Sequence, residues 1–125
     1  MERIKAPGLF DPGSYAQCIR AGNLIYVAGQ AAQDQHGNLV GRGNVEAQAE
    51  QVWKNIGLAL KAAGAGYHNI ASMTTYLVNV ADRETSMRVR KNFLGDHIAA
   101  STLVGNVALA NPEFLIEIDV TAVLE

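Results

Sequence analysis

The sequence predicts a single α+β domain in which two helices cover one face of a mixed β-sheet. Apolar residues recur at three- and four-residue spacing over residues 45–63, as on one face of an amphipathic helix. Over residues 114–124 they alternate with polar residues instead, as on a strand with one buried face. No linker or internal repeat divides the chain, so its 125 residues are predicted to form one domain, 1–125.

The first elements are predicted to be a loop and two strands. Prolines and glycines mark residues 6–14 as a loop, after which residues 15–20 can form a short strand. The run at 24–28 is continuously apolar and contains β-branched and aromatic residues, which is typical of a buried strand ending at Gly29.

The clearest predicted element is the helix over residues 45–63. Asn44 is a plausible N-cap, and Glu46 is favourable in the first turn, where the helix dipole stabilises negative charge. Gly64 and Gly66 supply the signal that ends the helix.

The second half of the chain is predicted to alternate strand and helix before two final strands. The strands are expected at 70–80, 102–109 and 114–124, and a helix of about 83–94 begins after Asp82 as its cap. The order is then β-β-α-β-α-β-β. Two helices cover only one face of such a sheet, so we expect the other apolar face to be buried against further copies of the chain.

Composition limits the classes of partner and location. The net charge of −2 offers no electrostatic footprint for nucleic acid or an anionic membrane. The lone Cys18 has no disulfide partner, and the spacing of the three histidines matches no metal motif. No signal-peptide core or membrane-spanning apolar run is found, so we expect a cytoplasmic protein without a metal site.

Three groups of residues are candidates for chemistry. Glu117 and Asp119 share one strand face, where a carboxylate near an apolar wall can shuttle protons, although a solvated face would show the same spacing. Tyr15 enters a strand from a loop and can present its hydroxyl to a cleft or lie at an edge. Arg83 and Arg90 share a helix face that suits an anion, a partner's acidic residues or solvent.

The order and spacing of several short motifs resemble the RidA family, also called YjgF or endoribonuclease L-PSP-like proteins. The resemblance covers nearly the whole chain. The segments that carry it are Gly13–Gln17, Arg20–Gln30, Gln48 to Ala62-Ala63-Gly64, Thr74–Val78, Gly95-Asp96-His97 and Leu115–Ile118.

The resemblance implies a chorismate-mutase-like α+β fold and a homotrimer with the sheets as an inner β-barrel and clefts between subunits. It implies hydrolysis of a small reactive enamine or imine to a carbonyl compound and ammonia, without a cofactor. By resemblance, Glu117 positions or activates the water, Tyr15 lies in the cleft, and the backbone of Gly29 faces the ligand.

The chain departs from this family at the place where deaminating members carry an arginine that binds the substrate carboxylate. Ser101 stands there, and no charged residue occurs from Ile98 to Asn111. Serine donates one neutral hydrogen bond and supplies no charge. The chain also departs from the family at three other places: Ala28 stands where a serine is common, Met87 falls at or beside a position usually held by asparagine, and Leu103 stands near the family's cysteine position.

We therefore expect Ser101 and Thr102 to line the substrate site, with Arg88 or Arg90 of the second helix replacing the missing arginine. The first hypothesis is a deaminase acting on a small-molecule substrate. The alternative is a protein that binds a small metabolite without turnover. A ribonuclease or translation inhibitor, an activity attached to parts of the family, is disfavoured by the acidic pI of about 5.9 and the lack of aromatic residues in a basic groove.

Overall fold

Two α-helices pack on one face of a six-stranded mixed sheet, which confirms the predicted α+β class. The computed structural model describes residues 1–125. The elements in chain order are β1 (Glu2–Ile4), β2 (Cys18–Ala21), β3 (Leu24–Gln30), α1 (Val45–Ala62), β4 (Ile70–Leu77), α2 (Arg83–Leu94), β5 (Ala100–Gly105) and β6 (Ile116–Val123).

The last strand of the chain lies inside the sheet rather than at its edge. The strand order is β1-β2-β3-β6-β4-β5, and every neighbouring pair is antiparallel except β4 and β5. In the β4–β6 register, Tyr76 pairs with Glu117 and Thr74 pairs with Asp119. Since paired residues point to the same face, this register places four polar side chains together.

Helix α1 begins and ends as its sequence predicts. The Asn44 side chain accepts a hydrogen bond from the backbone N–H of Ala47 at 3.0 Å, so it is the N-cap. At the other end Gly64 adopts φ +83°, and the N–H of Ala65 reaches the carbonyl of Leu60 at 2.8 Å. This left-handed glycine cap satisfies carbonyls that the helix end would otherwise leave unpaired.

The core lies between the helices and one face of the sheet. Every second residue of β6 is buried there, as the alternating pattern predicts. The polar residues between them face away from the helices. The buried β6 side chains are Ile116, Ile118, Val120 and Ala122, and they pack in one cluster with Trp53, Ile56 and Leu60 of α1.

Helix α2 has the predicted bounds, but other predicted bounds and one cap are wrong. The strand β1, two of whose three residues are charged, was not predicted and is held by its pairing with β2. Strand β2 starts at Cys18 rather than at residue 15, β4 ends at Leu77 rather than at residue 80, and β5 spans Ala100–Gly105 rather than 102–109. Asp82 makes no side-chain capping bond to α2, because a 3₁₀ turn over Val80–Asp82 precedes the helix.

Candidate active site

Two carboxylates occupy the centre of the sheet face that the helices leave uncovered. Glu117 and Asp119 lie on β6, between the side chains of β3 and β4, and both are half-buried. Tyr76 and Thr74 stand beside them on β4. The predicted placement of both carboxylates on one strand face is therefore confirmed, and the face is not simply solvated.

A β-bulge in β3 brings Gly29 against Glu117. The register between β3 and β6 shifts between Val27 and Gln30, which leaves two residues, Ala28 and Gly29, opposite the single residue Asp119. A Cβ atom at Gly29 would lie 2.5 Å from Oε2 of Glu117 and 2.9 Å from its Cδ atom. The absence of a side chain at position 29 is what allows the carboxylate to lie where it does.

The surroundings favour the protonated forms of both acids. Burial, followed by the negative charge of Asp119, raises the pKa of the Glu117 carboxyl. Burial also raises the pKa of Asp119, although hydrogen bonding by Tyr76 and Thr74 offsets part of that effect. A carboxyl group with a raised pKa can accept and return a proton closer to neutral pH than an ordinary glutamate can.

The segment that carries Tyr15 is fixed beside the bulge. Nε2 of Gln30 donates to Oε1 of Gln17 at 2.7 Å, and the N–H of Ala28 donates to the Gln17 carbonyl at 2.9 Å. Tyr15 itself is 51% exposed, and no hydrogen bond joins it to Glu117. Its role in a cleft therefore stays a prediction.

Ser101 lies on the opposite face of the sheet from Glu117. In the parallel β4–β5 register it pairs with Met73, which is buried on the helix side. Its Oγ atom is 3.3 Å from Nη1 of Arg90, on α2. Thr102 pairs with Thr74 and so points to the uncovered face, which means that one chain does not bring all the predicted residues together.

Arg88 faces away from Ser101. Its guanidinium forms an ion pair with Glu46, in the first turn of α1. Of the two arginines considered from the sequence, Arg90 is the one that contacts the position of the missing arginine. Spacing alone does not separate them, because only the packing of α2 against β5 decides which side chain reaches the strand.

Sequence reasoning missed four hydroxyl-bearing residues at these two places. Thr74 and Tyr76 accompany the carboxylates, and their alternation along β4 is the sequence signal that could have placed them on one face. Thr75 and Ser86 are buried and line a groove beside Arg90. No local sequence signal distinguishes these last two from ordinary core residues.

The remaining reactive side chains are poor candidates. Burial raises the pKa of the Cys18 thiol to about 11, so it is a protonated thiol at neutral pH rather than a nucleophile. Nε2 of His97 is 2.8 Å from the carbonyl of Ile70, a contact within the fold.

No group of three or more His, Cys, Asp or Glu side chains is arranged to hold a metal ion. Neither α-helix combines the length and apolarity that crossing a bilayer requires.

Comparison with known proteins agrees with the motifs noted above. The sequence profile of the family described as Endoribonuclease L-PSP matches residues 9–124. A RutC family protein of Synechocystis is 35% identical over 113 residues, covering 90% of this chain and 87% of the relative. The human 2-iminobutanoate/2-iminopropanoate deaminase is 31% identical over 119 residues, covering 95% of this chain and 85% of that protein.

The fold agrees as well. The crystal structure of RidA from an Antarctic Psychrobacter superimposes with a TM-score of 0.90 at 26% identity, covering 99% of this chain and 100% of the other. The sheet, the two helices and the position of β6 are thus those of a solved relative. The chain belongs to the endoribonuclease L-PSP family, the family of the RidA and RutC proteins.

Proposed function

We propose that this protein is a cofactor-free deaminase that hydrolyses a small reactive enamine or imine to a carbonyl compound and ammonia. The observation that carries the proposal is the half-buried Glu117 carboxylate, seated against Gly29 on an otherwise open sheet face with its pKa raised. Relatives of this chain bear the name of that activity, among them the human protein.

The chemistry needs one group that takes a proton and then returns it. Glu117 accepts a proton from water as the water oxygen bonds to the imine carbon and the C=N electron pair moves to nitrogen. The protonated Glu117 returns this proton to nitrogen, which gives the neutral carbinolamine. Glu117 then takes the hydroxyl proton and passes it to the amine nitrogen, so that the C=O bond forms as the C–N bond breaks and ammonia leaves. An enamine enters the same route after protonation at carbon.

We also propose that the working form is a homotrimer with its sites between subunits. Glu117 and Ser101 lie on opposite faces of one sheet, so a single small ligand cannot touch both within one chain. When a second copy places the helix side of its edge strand β5 against the uncovered face of the first copy, one ligand between them can contact Ser101 of one copy and Glu117 of the other. Tyr26 is 45% exposed on that face, consistent with a surface that another subunit covers.

The test compares Glu117→Gln with the wild-type protein in ammonia release from an imine generated in situ from alanine by an amino-acid oxidase, above the spontaneous rate. Loss of a general base is expected to lower the rate by about 100-fold or more. Glu50→Gln is the matched control, because Glu50 is an exposed carboxylate on α1. Equal rates for Glu117→Gln and the wild type would refute the role of Glu117.

The second candidate is a protein that binds a small metabolite without turnover, and Ser101 in place of the usual arginine is the observation that favours it. Binding of a keto acid at micromolar concentration together with no accelerated ammonia release would support this candidate. Ribonuclease activity, to which the name of the family refers, has no corresponding basic groove lined with aromatic residues in this chain. We expect no RNA cleavage.

A further inference from the structure

A groove lined by two arginines and no acidic side chain runs between α2 and the edge strand β5. Its volume is about 250 Å³. It opens on the helix side of the sheet, so it is separate within one chain from the carboxylate pair on the other face. The lining residues are Thr75, Arg83, Ser86, Met87, Arg90, Ser101 and Leu103.

The arginines of this groove lack the carboxylate partners that three of the four other arginines of the chain possess. Arg88, on the same helix, pairs with Glu46, whereas neither Arg83 nor Arg90 has a carboxylate within 4.0 Å. A guanidinium group has five N–H donors and always carries its charge. Two unpaired guanidinium groups in a groove without acids create a positive potential that an anion can neutralise.

Arg90 is held in place by neutral groups. Its Nη1 atom lies 3.3 Å from Oγ of Ser101 and 3.8 Å from Sδ of Met73, and the residue is half-buried. These contacts limit the side-chain freedom of Arg90 without neutralising its charge. Most N–H donors of the guanidinium group are free for a ligand, and the side chain has little conformational entropy left to lose when a ligand binds.

The rest of the lining indicates the size and type of anion. The side chains of Thr75 and Ser86 are buried and add hydroxyl groups, while Met87 and Leu103 contribute apolar surface at 42% and 37% exposure. Arg83 lies two helical turns from Arg90, roughly 10 Å along the axis, too far for one carboxylate to contact both closely. The groove therefore suits one carboxylate attached to a short apolar group.

We propose that Arg90, oriented by Ser101, binds the carboxylate of a small organic acid and is the specificity-determining residue of this protein. The guanidinium group thus comes from helix α2, because β5 contains no arginine. The assignment of this acid as the imine substrate rests on the proposed function. Anion binding in the groove follows from the unpaired arginines and does not depend on catalysis by Glu117.

The test uses pyruvate, the keto acid formed by hydrolysis of 2-iminopropanoate, and its neutral amide, pyruvamide. Binding to the full-length protein is measured by isothermal titration and by chemical-shift changes in α2. We expect pyruvate to bind at least tenfold more tightly than pyruvamide, and Arg90→Gln to weaken pyruvate binding at least tenfold. Arg90→Lys should retain part of the binding, because the charge is kept and the planar fork is lost.

Lys91→Gln is the matched control, since it removes one positive charge from the neighbouring position of α2, outside the groove. It should leave pyruvate binding unchanged. The proposal is overturned if pyruvate and pyruvamide bind equally, if inorganic phosphate binds more tightly than pyruvate, or if Arg88→Gln weakens binding and Arg90→Gln does not. It is also overturned if Arg90→Gln alters only the mass of the assembly, since Arg90 would then pair with another subunit.

The two proposals fail separately. If Glu117→Gln leaves ammonia release unchanged while Arg90→Gln weakens pyruvate binding, the deaminase is refuted and the anion groove stands. If Glu117→Gln abolishes turnover while Arg90→Gln changes neither pyruvate binding nor KM, the groove is refuted and the deaminase stands. Circular dichroism and thermal unfolding of each variant confirm that the fold is retained.

Discussion

Replacing Gly29 with alanine tests the fit between the bulge of β3 and the carboxylate of Glu117. The new Cβ atom would lie 2.5 Å from Oε2 and 3.2 Å from Cγ of Glu117. The carboxylate must move by about 1 Å to restore ordinary contact. Displacement of a catalytic group by that amount can lower the rate by about 100-fold. We expect ammonia release by Gly29→Ala to fall by this order, with the fold retained.

Stability separates this effect from unfolding. Gly29 has no positive φ, so alanine adopts its backbone conformation without strain, and the melting temperature should change little. Gly66→Ala is the control, because its φ of −140° is also compatible with alanine and its new Cβ meets only the ring of His68. A Gly29→Ala protein that releases ammonia at the wild-type rate would refute the argument that the Glu117 position governs turnover.

Three further predictions follow from the carboxylates and the core. Asp119→Asn removes a negative charge and should lower the pKa of Glu117, so the acid limb of the pH profile of kcat/KM should move to lower pH. An acid limb that stays in place would contradict the electrostatic coupling of the two carboxylates. Because the folded-state pKa of Glu117 lies above its ordinary value of 4.5, its ionisation lowers stability as pH rises through that folded-state pKa. The melting temperature of Glu117→Gln minus that of the wild type should therefore grow as the pH rises from below 4.5 towards neutrality. A difference that stays constant with pH would contradict this expectation. The buried side chain of Gln48 donates hydrogen bonds to the carbonyls of Gly41 and Glu113 and accepts one from the N–H of Leu115. Gln48→Met should therefore lower the free energy of unfolding by about 3 kcal/mol, measured by urea denaturation at fixed protein concentration. A loss below about 1 kcal/mol would contradict this prediction.

Periodic patterns predicted the elements that a buried face defines. Helix α1 spans Val45–Ala62, within one residue of the predicted 45–63, and β6 buries alternate residues as its sequence indicates. The same alternation placed Glu117 and Asp119 on one face, which the structure confirms. In each case one face is buried along the whole element, so the sequence must repeat with the period of that element.

Features that depend on contacts between distant segments were not predictable in this way. Strand β1 is short and charged, and only its pairing with β2 makes it a strand. Arg90 reaches Ser101 because α2 packs across β5, a relation that no spacing along the chain encodes. The bulge that seats Glu117 against Gly29 likewise arises where β3 meets β6, strands that are far apart in sequence.

The separation of Glu117 from the Arg90 groove allows a direct test of a site shared between copies. Glu117→Gln and Arg90→Gln are each expected to have a low kcat/KM when assembled alone. In mixed oligomers formed from equal amounts of the two variants, with mixing verified by native mass spectrometry, about a quarter of the sites should join an intact Glu117 to an intact Arg90 of another copy. Recovery of about a quarter of the wild-type kcat/KM is the predicted result. No recovery in verified mixed oligomers would contradict the account.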